Sequence, residues 1–110
     1  MTDETAPAYA MVQIKIKNPA EFNERYSQYV FPILEKSGVQ MVAGTTTPTT
    51  REGDFDGNWA AVLRFPSMEA ALAWYDSADY EPFKQLRLNE LTDSNSLVFI
   101  EGFPVTAPVN

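Results

Sequence analysis

Residues 8–16 read AYAMVQIKI, and Asn18-Pro19-Ala20-Glu21 follows after Lys17. In the first stretch Ala10, Val12, Ile14 and Ile16 alternate with Tyr9, Met11, Gln13 and Lys15. A period of two with β-branched residues predicts a strand with one face in a core. The next four residues predict a helix start: Asn18 caps, Pro19 suits the first helical position, and Glu21 closes a capping-box-like pair. Phe22, Tyr26, Tyr29, Val30 and Ile33 then share one helical side, with Leu34 at its margin and Gly38 as the stop. Pro32 lies inside this helix and predicts a kink, because it lacks the N–H that would bond the Gln28 carbonyl.

Downstream the alternation repeats. Val39–Thr45 predicts a second strand, followed by the long connection GTTTPTTREGDFDG over residues 44–57. Connections of that length in a small domain are uncommon and are either functional or disordered. Asn58–Phe65 (NWAAVLRF) predicts a third strand, ended by Pro66. Ser67 caps a helix whose Met68, Ala71, Leu72 and Tyr75 share a face, with Trp74 off that face and expected at an assembly contact. The helical pattern restarts after Ser77-Ala78-Asp79, with Asp79 as cap, Pro82 in the first turn, and Tyr80, Phe83, Leu86, Arg87 and Leu91 on one arc. A turn is expected at Thr92-Asp93-Ser94-Asn95, and Ser96–Phe103 (SLVFIEGF) predicts the fourth strand. Strand, helix, strand, strand, broken helix, strand is the order of an α+β, ferredoxin-like βαββαβ sandwich with a four-stranded antiparallel sheet. A single domain over residues 1–110 is expected, with its core at about 8–103 and extended tails at 1–7 and 104–110.

Two helices cover only one face of such a sheet. In the third strand Trp59, Ala61, Leu63 and Phe65 back onto Ala60 and Val62, and in the fourth Leu97, Phe99 and Phe103 back onto Val98 and Ile100. Strands apolar on both faces are buried on both faces, and soluble monomers avoid a large exposed apolar sheet. A homodimer packed sheet to sheet is therefore expected.

Composition narrows the chemistry. Of 110 residues 15 are acidic and 8 basic, giving a net charge of −7, with no His and no Cys. That removes disulfides, thiol nucleophiles, imidazole bases and the usual zinc, copper and haem ligands. The acidic balance argues against a nucleic-acid partner, whose phosphates are neutralised by Lys and Arg. No run approaches the roughly 18 apolar residues of a membrane span, and the opening MTDETAPA lacks a signal-like apolar run. No membrane partner, a cytoplasmic location, no cofactor and no metal site are expected.

The strings Arg51-Glu52-Gly53-Asp54, Leu63-Arg64-Phe65-Pro66-Ser67, Ala70 through Ser77, Asp79-Tyr80 through Arg87, and Val98 through Phe103 together resemble the domain-of-unknown-function 1330 family, over roughly residues 8–103. The resemblance implies a dimeric α/β-barrel, in which two ferredoxin-like subunits face their sheets together. It also implies a superfamily that includes cofactor-free monooxygenases, isomerases and haem enzymes. Family members commonly carry His-Gly-Gly after the first helix. This chain has Ser37-Gly38-Val39 there, which excludes an axial His for haem.

Arg87 stands out on its otherwise apolar arc. A buried guanidinium needs compensation, and Glu52, Glu101 and Glu90 are the candidate partners. As a functional group Arg87 would clamp an anion or carbonyl in a pocket between helices and sheet. Glu52 is the candidate general base, a role that burial would favour by raising its pKa. Arg87 and Glu52 are thus the catalytic candidates. Glu101 shares the face of Leu97, Phe99 and Phe103, where it is either a ligand contact or simply exposed at the strand end. Ser77 at the helix break is a capping residue and a possible anion contact. Tyr26, Tyr29, Tyr75 and Tyr80 put four hydroxyls on sheet-facing helix sides, and Tyr26, Tyr29 and Tyr80 join the ligand-binding candidates. The expected function is small-molecule binding, with cofactor-independent proton transfer or oxidation as the enzymatic form. A non-catalytic metabolite-binding or assembly module is the alternative.

Overall fold

The structure, a computed structural model, describes residues 6–103. Of the expected tails at 1–7 and 104–110, residues 1–5 and 104–110 lie outside these. Four strands, β1 (Ala8–Ile16), β2 (Gln40–Thr45), β3 (Trp59–Phe65) and β4 (Thr92–Glu101), form one antiparallel sheet in the order β2-β3-β1-β4. Consecutive strands β1 and β2 are not neighbours, and neither are β3 and β4, because each pair is joined by a helical crossover. This is the α+β split βαβ arrangement that the order of elements predicts.

The first crossover is α1 (Pro19–Phe22), a π-helical turn (Asn23–Ser27) and α2 (Gln28–Lys36), continuous in the chain. Asn18 Oδ1 accepts from the Glu21 N–H at 3.1 Å, so the predicted cap is formed. Pro32 is accommodated within α2, and the irregularity of this crossover is the π turn upstream. Gly38 follows the end of α2 at φ +80°, a left-handed conformation that favours glycine, and a Cβ there would press on Pro66. The second crossover is α3 (Met68–Tyr75), α4 (Glu81–Leu86) and a second π turn (Arg87–Leu91). Ser67 caps α3 by accepting from the Ala70 N–H at 3.1 Å.

Three local expectations are corrected. Asp79 does not cap α4: the residue at that position is Tyr80, whose N–H donates to Ser77 Oγ. On α3 the buried residues are Ala71 and Trp74 while Leu72 is exposed, so Trp74 is a core residue and not an assembly contact. The i,i+3 pair 71/74 is as helical as 71/72/75, and the indole has the larger area to bury. The expected turn at Thr92–Asn95 is the start of β4: Asn95 pairs with Ile14, Ser94 with Lys15 and Thr92 with Ile16, leaving Asp93 in a bulge. The waiting edge of β1 overrides the turn preference of these residues.

The core lies between the sheet and the helices. Ala8, Ala10, Ala61, Leu63 and Phe65 from the strands meet Val30 and Leu34 of α2 and Ala71 and Trp74 of α3, together with Tyr80. The opposite face of the sheet carries Met11, flanked on its cross-strand neighbours by Val62 and Val98, with Ile100 beyond. No helix of the described residues is long and apolar enough to cross a membrane.

Asn58 locks the end of the long connection to β1. Its Oδ1 accepts from the Ile16 N–H at 2.7 Å, its Nδ2 donates to the Ile16 carbonyl at 3.0 Å, and its own N–H donates to Ile14 O at 3.2 Å. The side chain thereby adds a rung to the β1–β3 ladder. Gly57, just before it, leaves no room for a Cβ against the Ile14 carbonyl. Asn58→Ala removes two partly buried hydrogen bonds and is expected to lower stability by about 1–3 kcal/mol, measured by urea denaturation. A β1-edge ladder that tolerates the loss would leave the unfolding midpoint unchanged.

Candidate functional site

Between the first crossover and the sheet lies a cavity of about 540 Å³. That is within the range of small-molecule sites. Its floor includes Ile14, Trp59 and Leu63, its helical wall Phe22 and Val30, and exposed Phe31 and Met41 stand on its rim. Among the described residues Arg87 is the only charged lining residue, although the chain carries 15 acidic side chains.

Both π turns contribute to this cavity. One carries Tyr26 and the other begins with Arg87. Arg87 is 3% exposed. Its Nε donates to the Tyr80 hydroxyl at 3.3 Å and its Nη1 to Asn95 Oδ1 at 2.7 Å. Asn95 Nδ2 donates to Thr92 Oγ1 at 2.7 Å, and that hydroxyl donates to the Arg87 carbonyl at 2.7 Å. The residue is thus held at both its backbone and its head. The Tyr80 hydroxyl, in a fully buried side chain, also lies 2.5 Å from the Tyr26 hydroxyl. No carboxylate of the described residues lies within 4.0 Å of the Arg87 guanidinium.

Burial works against the Arg87 charge, yet the neighbouring Tyr80 and Tyr26 hydroxyls outweigh it and hold the pKa above the ordinary arginine value. Tyr26 is pushed well above the usual tyrosine value, first by burial of its hydroxyl end and then by Tyr80, with Arg87 opposing. The Arg87 cation and a protonated Tyr26 hydroxyl are therefore resident species at neutral pH.

The candidates separate into two groups. Arg87, Tyr26 and Tyr80 are brought together. Glu52 is exposed on the long connection, Glu101 is exposed at the end of β4, and neither lines the cavity. Glu90, the third proposed partner of Arg87, instead pairs with Arg25 at 3.0 Å. Tyr29 is exposed and stacks on Phe83 at 5.6 Å between ring centroids. Ser77 serves the helix break, donating to the Trp74 carbonyl and accepting from the Tyr80 N–H. Two members went unread in the sequence. Asn95 sits in a run of turn-forming residues with no signal of its role. Trp74 lines the cavity 5% exposed, and its large apolar area was the available signal.

A two-layer α+β sandwich with a cavity under its first helical crossover is the class that these observations define. The chain matches the family described as domain of unknown function (DUF1330) over residues 7–103 and belongs to it. No curated protein matches. Among solved structures, the chain is similar to RPA0582, a protein of unknown function from Rhodopseudomonas palustris. Identity is 16%, coverage is 94% of this chain and 88% of that one, and the TM-score is 0.72. It is also similar to SnoaB, described as a cofactor-independent oxygenase from Streptomyces nogalater. There identity is 13%, coverage is 94% of this chain and all of that one, and the TM-score is 0.62. At such identities the likeness is one of fold.

The Tyr26 shift has a consequence for stability. Because its folded pKa is raised, the native state holds this proton more tightly than the unfolded chain. The stabilisation is complete below the ordinary tyrosine value of about 10 and is lost as pH rises through the raised one. Urea unfolding midpoints of the parent are expected to fall more steeply above that value than those of Tyr26→Phe, which has no proton to lose. Parallel alkaline profiles would show that the Tyr26 hydroxyl is solvated like an ordinary tyrosine.

Proposed function

We propose that this protein binds an apolar small molecule in the cavity, with Arg87 as its polar anchor, and that it does so as a homodimer packed sheet to sheet. The observation that carries the binding reading is the buried Arg87 guanidinium facing a largely apolar cavity without a carboxylate partner among the described residues. A buried, uncompensated charge costs several kcal/mol, and a ligand acceptor placed against it offsets that cost. The dimer reading is supported by the open sheet face, where Met11, Val98 and Ile100 are 43%, 49% and 45% exposed within the protomer.

The enzymatic form of the proposal is cofactor-independent. Loss of a proton from a carbon acid bound beside Arg87 leaves an enolate that the guanidinium stabilises. That enolate can be reprotonated, giving isomerisation, or can supply electrons to dioxygen as the oxidant. The description of SnoaB as a cofactor-independent oxygenase supports the second branch by fold alone. Glu52 as general base belongs to this form and requires the long connection to bring its carboxylate to the cavity. A non-catalytic binding module is favoured by a different observation: no carboxylate lines the cavity among the described residues.

Native mass spectrometry tests both parts. The expected species has twice the 12.3 kDa chain mass and carries a small-molecule increment when purified gently. Val98→Asp places a charge beside Met11 on the open face and is expected to shift the protein to the single-chain mass with the fold retained by circular dichroism. A parent that runs as a monomer at micromolar concentration would end the dimer reading.

A further inference from the structure

We infer that the ligand is an apolar monoanion, a carboxylate or an enolate, received by a cluster of hydrogen-bond donors at the Arg87 end of the cavity. This rests on the binding reading above and specifies its chemistry. The argument is a count of donors and acceptors.

Arg87 can only donate. Its Nε donates to Tyr80 and its Nη1 to Asn95, and the Tyr26 hydroxyl stands beside the guanidinium, which still leaves guanidinium hydrogens without an acceptor among the described residues. The Tyr26 and Tyr80 hydroxyls bring two hydrogens and share one hydrogen bond. Tyr80 accepts from Arg87, so whichever hydroxyl donates across the pair, the other hydrogen has no acceptor among the described residues. Trp74 Nε1 is buried without a partner, and it is the one such side-chain atom among the described residues. Its ring packs on that of Tyr80 at 4.3 Å between centroids, which places it at the same end of the cavity. Three donors are thus left over where the wall contains no anionic acceptor.

A donor left without an acceptor is costly where it is buried, as Trp74 Nε1 is, and two neutral donors beside the Arg87 cation describe an imprint of an anion. The charge count selects among anions. One cation with two neutral donors balances a single negative charge, whereas a phosphate dianion would bring a second charge into an apolar cavity with nothing to offset it. Ile14, Phe22, Val30, Trp59 and Leu63 in the remaining lining supply the apolar contact for the ligand body. Acidic side chains elsewhere give the protein its net charge of −7, and keeping them out of this wall preserves the local positive potential.

Isothermal titration calorimetry with three matched probes decides the point: 2-naphthoate, its neutral amide 2-naphthamide, and 2-naphthyl phosphate. The parent is expected to bind 2-naphthoate about ten- to a hundredfold more tightly than the amide, the range for a hydrogen bond to a charged partner, and more tightly than the phosphate. Arg87→Met is expected to lose that preference while keeping its melting temperature, since it removes a buried cation and leaves an apolar chain of similar reach. Trp74→Phe is expected to weaken 2-naphthoate about fivefold or more while the preference for the acid persists. Equal binding of acid and amide by the parent overturns this inference and leaves the cavity reading standing. Binding of no probe overturns the cavity reading itself. Tighter binding of the phosphate, or an acid preference that survives in Arg87→Met, overturns the assignment of a monoanion to Arg87. Should Arg87→Met fail to fold, the acid-to-amide ratio of the parent still decides.

Discussion

The Arg87 guanidinium is buried beside two tyrosine hydroxyls and an asparagine oxygen, with no carboxylate of the described residues in reach. Much of the local architecture serves to hold a charge in that setting. Thr92 fixes the backbone carbonyl of Arg87, Asn95 links Thr92 to the guanidinium, and both sit on the first residues of β4. Those residues have turn-forming side chains, yet they are drawn into the sheet by pairing with β1. The sheet thereby supplies the acceptor that a carboxylate would otherwise provide. An asparagine satisfies the geometry of the donor without neutralising its charge, and so leaves the electrostatic demand open for a ligand. A structural ion pair would have closed it.

A second constraint comes from layer count. One layer of helices covers one face of four strands, and the covered face is where Ala8, Ala10, Ala61, Leu63 and Phe65 pack. Small residues at 8, 10 and 61 let α3 and Trp74 approach the sheet closely. Larger spacing under the first crossover leaves the cavity. The uncovered face keeps Met11, Val62, Val98 and Ile100 in a patch that a single chain does not hide. Both properties follow from the same split βαβ topology, in which the two crossovers return on the same side.

The strands and their order were legible because alternation is a strong, local signal. Asn18, Ser67 and Gly38 were equally legible, since capping and positive-φ chemistry depend on a few neighbouring residues. Arg87 was legible as an anomaly: a charged side chain on an arc that is otherwise apolar. Its partners were not. Glu52, Glu90 and Glu101 were the natural electrostatic choices, but sequence distance carries no information on which loop end or strand terminus reaches the interior, and the actual partners are neutral. Asn95 was hidden because its local preference, a turn, was overridden by an unpaired strand edge that only the folded chain presents.

The π turns account for a further mismatch and tie it to the site. A regular helix places Tyr29 and Ile33 on the buried side with Phe22 and Tyr26. In the structure Val30 and Leu34 are buried, Ile33 is only partly so and Tyr29 is exposed, a displacement of the stripe by one residue. An inserted residue in the turn Asn23–Ser27 produces that displacement, since a π turn spans one residue more than an α turn. It also bulges the backbone at the position of Tyr26, whose hydroxyl reaches Tyr80. The second π turn begins at Arg87 itself. Two departures from regular helix in 98 described residues each bear one side of the same polar cluster. The π turns carry Tyr26 and Arg87, and regular helix adds Val30 and Trp74 to the same cavity.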